Sequence, residues 1–210
     1  ASLDALFKSK ADKKKPKATN LNAGKPAEEP KPVLRSANPD AAPADEGWER
    51  ALRRDQDLLK ACGLWIKEIE ADGACLFRAF ADQLEGGGGA EHAAYRERCI
   101  DFMQAHRDDF EPFLEEPFEE YCARMRQPAS WGGHVEVQAL ARCFGVNAVI
   151  YQPAEAARPG ALQRSTVEML PSSEDDARCV QLSFHPTHHA GQHYNSVRCA
   201  DDGGEGPAPA

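Results

Sequence analysis

The sequence predicts an α+β domain, and three observations carry that prediction. Runs with helical spacing fill the first part of the chain, β-rich runs fill the later part, and loops rich in Pro, Gly or acidic residues divide those β-rich runs from one another. Trp48, Ala51, Leu52, Leu58, Leu59 and Cys62 recur at helical spacing with Gly63 placed to cap the end, so residues 47 to 62 read as an amphipathic helix. "LWIKEIE" follows as a short strand. After Asp72-Gly73, the residues Leu76, Phe77, Ala79, Phe80 and Leu84 mark a helix that is apolar over a wide face and hence largely buried, ending at the glycine run 86 to 89. Tyr95, Cys99, Phe102, Met103 and His106 give another helix. Phe118, Tyr121, Cys122 and Met125 give a shorter one after Pro117. Val137, Leu140, Ala141 and Phe144 give one more, closed by Gly145. The strands come late: "VNAVIYQ" (146 to 152), "VEML" (167 to 170), "CVQLSF" (179 to 184) and "HYNSVR" (193 to 198). These elements define a domain over residues 47 to 200.

The flanking stretches differ in composition. Residues 1 to 46 hold nine Lys or Arg against seven Asp or Glu, and are too poor in large apolar side chains to offset the entropy of ordering, so they read as a disordered Lys/Pro/Ala-rich tail. The run "KKKPK" suits a nuclear import signal and equally a solvated charge run. Residues 201 to 210, "DDGGEGPAPA", read as a second tail. Of the net charge of −9, residues 47 to 210 carry −11, 16 basic against 27 acidic. That argues against a nucleic-acid groove and suits a partner with a basic surface. No window approaches 18 consecutive apolar residues, so no membrane partner is expected, and a cytoplasmic location, with nuclear entry through the tail, is the expectation. The seven cysteines are odd in number and lack CxxC pairs, which fits reduced thiols rather than a disulfide framework or a zinc ribbon. A monomer is expected.

One thiol stands out by position. Cys75 follows "EADGA" and opens the buried helix, where unpaired backbone N–H groups and the positive end of the helix dipole favour thiolate. Gly73, without a side chain, lets the loop backbone approach whatever the sulfur attacks, and the loop amides are placed to hold a developing oxyanion. The same residues also suit a structural role, with Asp72 as an N-cap and Cys75 as a small buried apolar group. A thiolate nucleophile needs a base, and the base needs a group that holds its tautomer. Among the seven histidines, His193 begins a strand-like run in which residues i and i+2 share a face, so His193 and Asn195 point the same way. The Asn195 amide oxygen is then expected to accept from Nδ1 and leave Nε2 facing sulfur. A competing reading makes His185, His188, His189 and His193 a metal site. Its spacing is loose and no thiol or acid is bracketed with it, so neither a metal nor an organic cofactor is expected.

Three segments, "DGACLFRAFADQLEG", "WGGHVEVQALARCFGVNAVIY" and "GQHYNSVR", resemble in order and spacing those of the ovarian tumour (OTU) family of deubiquitinating cysteine proteases, nearest its branch of OTU-domain-containing proteins 3 and 6. The resemblance implies a papain-like α+β fold whose small mixed sheet carries the catalytic histidine. It implies a reaction that cleaves the isopeptide bond after the C-terminal Gly-Gly of ubiquitin through a thioester, with ubiquitin, its chains or ubiquitinated proteins as partners. On matching positions, Cys75 resembles the nucleophile, His193 its base, Asn195 the residue that orients the histidine, and Asp72 a residue that shapes the oxyanion loop of Gly73 and Ala74. Trp131, Gly132 and Gly133 are similar to a wall of the channel that admits the ubiquitin tail. Two positions depart from the family pattern: Ala74 stands where many members have Asn, and Asn195 where Asp is commoner, which bears on rate more than on reaction type. Two alternatives stay open at this point, a protease for another Gly-Gly-ended modifier and a ubiquitin-binding pseudoenzyme.

Overall fold

The computed structural model describes residues 45–154, 160–167, 178–188 and 191–208. Five helices and one strand come first in the sequence: α1 (Asp45–Lys60), β1 (Leu64–Lys67), α2 (Cys75–Glu85), α3 (His92–Ala105), a single-turn α4 (Arg107–Phe110) and α5 (Phe118–Met125). Then come α6 (His134–Phe144) and four strands, β2 (Asn147–Pro153), β3 (Leu162–Val167), β4 (Cys179–His188) and β5 (Gly191–Cys199). The sheet runs β1-β5-β4-β2-β3. It is mixed, with β2 parallel to β4 and every other pair antiparallel.

The core explains the order of layers. Leu76, Phe77, Ala79, Phe80 and Ala81 of α2 are wholly buried among Ile100 and Met103 of α3, Leu140 of α6, and Val180 and Leu182 of the sheet. A helix apolar on so wide a face cannot lie on a surface, so α2 sits between the sheet and the outer helices. A smaller cluster of Leu52, Leu59, Ile66 and Val197 fixes α1 to β1 and β5.

Two expectations need correcting. The strand expected at 167 to 170 lies earlier, at Leu162–Val167, paired along β2, and residues 168 to 170 fall outside the described residues. It is an edge strand with no fully buried residue, so it lacks the apolar alternation that betrays a half-buried strand. Second, residues 201 to 208 do not behave as a tail. Ala208 N–H donates to Gln83 O at 2.8 Å, Arg198 Nη2 to Gly206 O at 2.6 Å, and Lys67 Nζ to Gly204 O. Gly204 lies so near the Trp65 indole that a Cβ would come within 3.0 Å of it. Two of these anchors are main-chain carbonyls held by cations and one is a main-chain amide, and residue composition registers none of them. Residues 1 to 44, the rest of the first expected tail, lie outside the described residues.

Candidate active site

Cys75 is the first residue of α2, and Ala74 before it offers no side-chain cap, so nothing from a side chain competes for the first-turn amides. The preceding loop is set by Asp72. Its Oδ1 accepts from Ala74 N–H at 2.9 Å and its Oδ2 from Arg78 Nε and Nη2 at 3.0 and 2.5 Å. Burial pushes the Asp72 carboxyl up, but the bonds from Arg78 and Ala74 outweigh it and hold the group below the usual carboxylate range. Gly73 has φ +84°, and a Cβ there would fall 2.4 Å from Ala129 O. Glycine is therefore required twice, by backbone conformation and by close approach.

Across the sheet, β5 presents His193 and Asn195 on one face, both buried. Asn195 Oδ1 accepts from Ile69 N–H at 2.8 Å and lies 3.0 Å from His193 Nε2. The expected nitrogen is thus exchanged: Nε2, not Nδ1, faces the amide. Cys75 and His193 line one cleft of about 410 Å³ together with Ala71, Gly73, Ala129, Trp131 and Gln192.

The electrostatics also depart from expectation. Burial raises the Cys75 thiol above its ordinary value of 9.0, while the amides of Tyr194 and Leu76 pull the other way without prevailing. Burial lowers His193 below 6.5, and the bond to Asn195 opposes it. Both shifts favour the neutral thiol and the neutral imidazole, against the thiolate that the helix position alone suggests. Desolvation of Cys75, a residue only 1% exposed, is the largest contribution and outweighs the backbone hydrogen bonds that favour thiolate.

Of the other expected residues, Trp131 lies on the cleft wall, stacked on Tyr194 with ring centroids 5.8 Å apart. Among the described residues its buried Nε1 has no acceptor. Gly132, Gly133 and Ala74 do not line the cleft. Gly132 packs on Leu76 and Phe77, Gly133 N–H donates to Glu136 Oε2 at 2.7 Å to cap α6, and Ala74 is buried at the start of α2. The glycines thus serve the close approach of the loop to α2 and the start of α6, which a motif reading cannot separate from channel lining.

Arg96 is a residue that the sequence reading missed. It is 3% exposed on α3, and its guanidinium donates to the carbonyls of Met125 (3.0 Å), Ser130 (2.7 Å), Pro128 (2.7 Å) and Gly73 (3.3 Å) while lying 4.2 Å over the Phe77 ring. One side chain thereby ties the loop before the thiol to the segment that holds Met125, Pro128 and Ser130. The only signal available was an arginine at a helical spacing otherwise held by core residues, one position after Tyr95. Gln192 and Ala129 carried no signal.

Comparison with known proteins bears on this arrangement. The sequence model of the OTU-like cysteine protease family matches residues 70–194. The chain is 39% identical over 166 residues to ovarian tumor domain-containing deubiquitinating enzyme 7 of Arabidopsis thaliana, covering 78% of this chain and 40% of that protein. It is 36% identical over 168 residues to OTU domain-containing protein 3 of Mus musculus, covering 79% and 39%. The matched region thus spans about two fifths of the length of these curated relatives. Among solved structures, the OTU domain of OTUD1 superposes with a TM-score of 0.63 at 22% identity over 71% of this chain and 95% of that one. An OTU deubiquitinase from Wolbachia pipientis wMel bound to ubiquitin gives 0.51 at 16% identity, covering 67% of this chain and 98% of that one. These likenesses are of fold.

Proposed function

This chain belongs to the family of OTU-like cysteine proteases, and from that premise we propose that it hydrolyses the isopeptide bond after the C-terminal Gly-Gly of ubiquitin, with Cys75 as nucleophile and His193 as base. The observation that carries the reading is the convergence of Cys75 and His193 on one cleft, with His193 tied to Asn195.

In this mechanism Nδ1 of neutral His193 takes the Cys75 proton as sulfur bonds to the carbonyl carbon, so charge develops as attack proceeds rather than being stored beforehand. The imidazolium is stabilised by the Asn195 oxygen at Nε2. The oxyanion falls to the loop backbone. Ala74 N–H is already committed to Asp72, which leaves the amides of Gly73 and Cys75 as the donors. Collapse breaks the C–N bond, the imidazolium proton leaves with the lysine amine, and a thioester remains. Water, giving its proton to His193, then attacks that thioester and releases the ubiquitin carboxylate and the free thiol.

A ubiquitin probe with a C-terminal electrophile tests the reading. The expected result is a covalent adduct on Cys75 that cleaving conditions also require. Retention of ubiquitin without capture would make the chain a binding module, and an adduct on another cysteine would overturn the assignment.

A further inference from the structure

A second imidazole lies against the face of His193. The His188 ring is stacked on it with centroids 4.4 Å apart and planes 25° apart. Behind His188 stands Trp48 of α1, at 4.3 Å between ring centroids and 52° between planes. This placement depends on an irregularity in β4. His185 pairs directly with His193, yet His188 pairs with Gly191, so three steps on β4 match two on β5. In a regular strand residues 185 and 188 would point to opposite faces, and the bulge returns His188 to the face that holds His193.

The backing element is firmly seated. Leu52 and Leu59 of α1 pack with Ile66 and Val197, and the buried Asp55 carboxylate lies 3.6 Å from His185 Nδ1, while His185 Nε2 is 3.0 Å from Ser183 Oγ. The consequence for His193 is mechanical. The bond from Nε2 to Asn195 and the backbone of Ile69 hold the edge of the ring, and neither contact covers its face. A ring packed on its face holds its plane while leaving the Nδ1 edge open to sulfur. We propose that His188 and Trp48 are positioning residues for His193, so that α1, which contributes nothing to the cleft lining, is part of the catalytic unit. The inference rests on the assignment of Cys75 and His193 under the proposed function.

The test uses the full chain and the variants His188→Ala, His188→Phe and Trp48→Ala, with two readouts. The first is the rate of carbamidomethylation of Cys75 by iodoacetamide from pH 5.5 to 9, followed on the Cys75 peptide by mass. This depends on the imidazole as base and on no protein substrate. His188→Ala is expected to slow it about tenfold near pH 7, whereas His188→Phe, which keeps a flat ring without a charge, stays within about twofold. The second is hydrolysis of ubiquitin bearing a C-terminal fluorogenic amide, where His188→Ala lowers kcat about tenfold with KM within about twofold, and Trp48→Ala follows it more weakly. His185, Asn195 and Asp72 also face His193, so the acid limb of the alkylation profile should keep its midpoint in His188→Phe if only the stack matters. Wild-type rates in His188→Ala, or a loss in His188→Phe as large as in His188→Ala, would overturn the inference. If wild type alkylates normally, His188→Ala alkylates slowly, and neither cleaves ubiquitin, the substrate assignment fails and the positioning role stands.

Discussion

Two buried polar groupings flank α2, and they are solved in opposite ways. At its start, Cys75, His193 and Asn195 are buried with no ion partner in contact among the described residues, and burial pushes thiol and imidazole towards their neutral forms. Further along, Asp82 is wholly buried but meets Arg198 Nη1 at 2.9 Å, Lys67 Nζ at 2.6 Å and Ser196 Oγ at 2.8 Å, while Arg198 also reaches Asp202 at 2.7 Å. Burial lowers the Arg198 pKa, and its two carboxylates more than restore it. The second grouping is saturated, so protons have no reason to move within it. The first is left short of charge compensation, so both groups favour their neutral forms and transfer of the proton from sulfur to ring has to be driven by the stabilisation of charge during attack. The difference teaches that the same desolvation yields structure or acid-base chemistry according to whether counter-ions come with it.

The largest effects should separate the two groupings cleanly. Cys75→Ala and His193→Ala should each lower kcat on a ubiquitin C-terminal amide by on the order of 10⁴-fold or more, with the melting temperature nearly unchanged. Asp82→Ala should do the reverse. It leaves Arg198 and Lys67 facing an empty site, at a cost of about 3–5 kcal/mol in urea unfolding, while kcat per folded molecule is retained. Loss of kcat in folded Asp82→Ala would show that the groupings are coupled through α2.

Asn195 belongs to both kinds of effect. Asn195→Ala removes the oxygen at His193 Nε2 and also strands the Ile69 amide, so kcat/KM should fall by about 10- to 1,000-fold and stability by about 1–3 kcal/mol. Asn195→Asp keeps both acceptor bonds and adds the missing counter-ion. In the wild type the His193 pKa is held below 6.5, so the base is neutral, and active, until pH falls below that value. The same depression means that the unfolded chain binds the proton more readily, so the His193 contribution to stability is lost as pH falls through 6.5. In Asn195→Asp the acid limb of kcat/KM should move to higher pH. A limb that stays in place would mean that the ring does not feel this position.

Arg96→Lys is the intermediate case, because it keeps the charge and discards the geometry. A single ammonium cannot hold Gly73, Met125, Pro128 and Ser130 at once. Expected is a loss of about tenfold in kcat/KM with an unchanged pH profile for Cys75 alkylation, since what is released is the tie between the Gly73 loop and the wall at Pro128 and Ser130 rather than a charge acting on the sulfur. A shifted alkylation profile would show that Arg96 acts on the thiol by charge.

What the sequence disclosed and what it hid follow the same division. Local chemistry was legible: the helix start at Cys75, the shared strand face of His193 and Asn195, and the turn at Asp72-Gly73 each depend on a few neighbouring residues. The wide apolar face of α2 announced its burial. Features made by distant main-chain atoms were not legible. The carbonyls that Arg96 collects come from four separate residues, the C-terminal segment is held by Arg198 and Lys67, and β3 pairs along β2 without an apolar face. Which imidazole nitrogen meets Asn195 is a matter of ring orientation, which no spacing within "HYNS" encodes. The sign of the Cys75 shift needed the depth of burial, which a helix-start argument leaves out.

The smallest effect concerns the glycines after Trp131. A Cβ on Gly132 would sit 3.0 Å from Leu76 Cδ2 and 3.2 Å from the Phe77 ring, both wholly buried. The Leu76 methyl is the end of a flexible side chain, but it has a packed core behind it, so Gly132→Ala should overpack the contact by about 1–2 kcal/mol. That lowers the melting temperature by a few degrees, roughly 2–8 °C for a domain of this size. Because Gly132 packs against α2 rather than lining the cleft, KM for ubiquitin amide should stay within about twofold and kcat within about threefold. This contrasts with Gly73, where φ +84° and the Ala129 carbonyl leave a side chain no room at all. If instead Gly132→Ala raised KM tenfold with the melting temperature unchanged, Gly132 would be part of the channel wall that the motif suggests, and the division between cleft and scaffold along this loop would have to move by one residue.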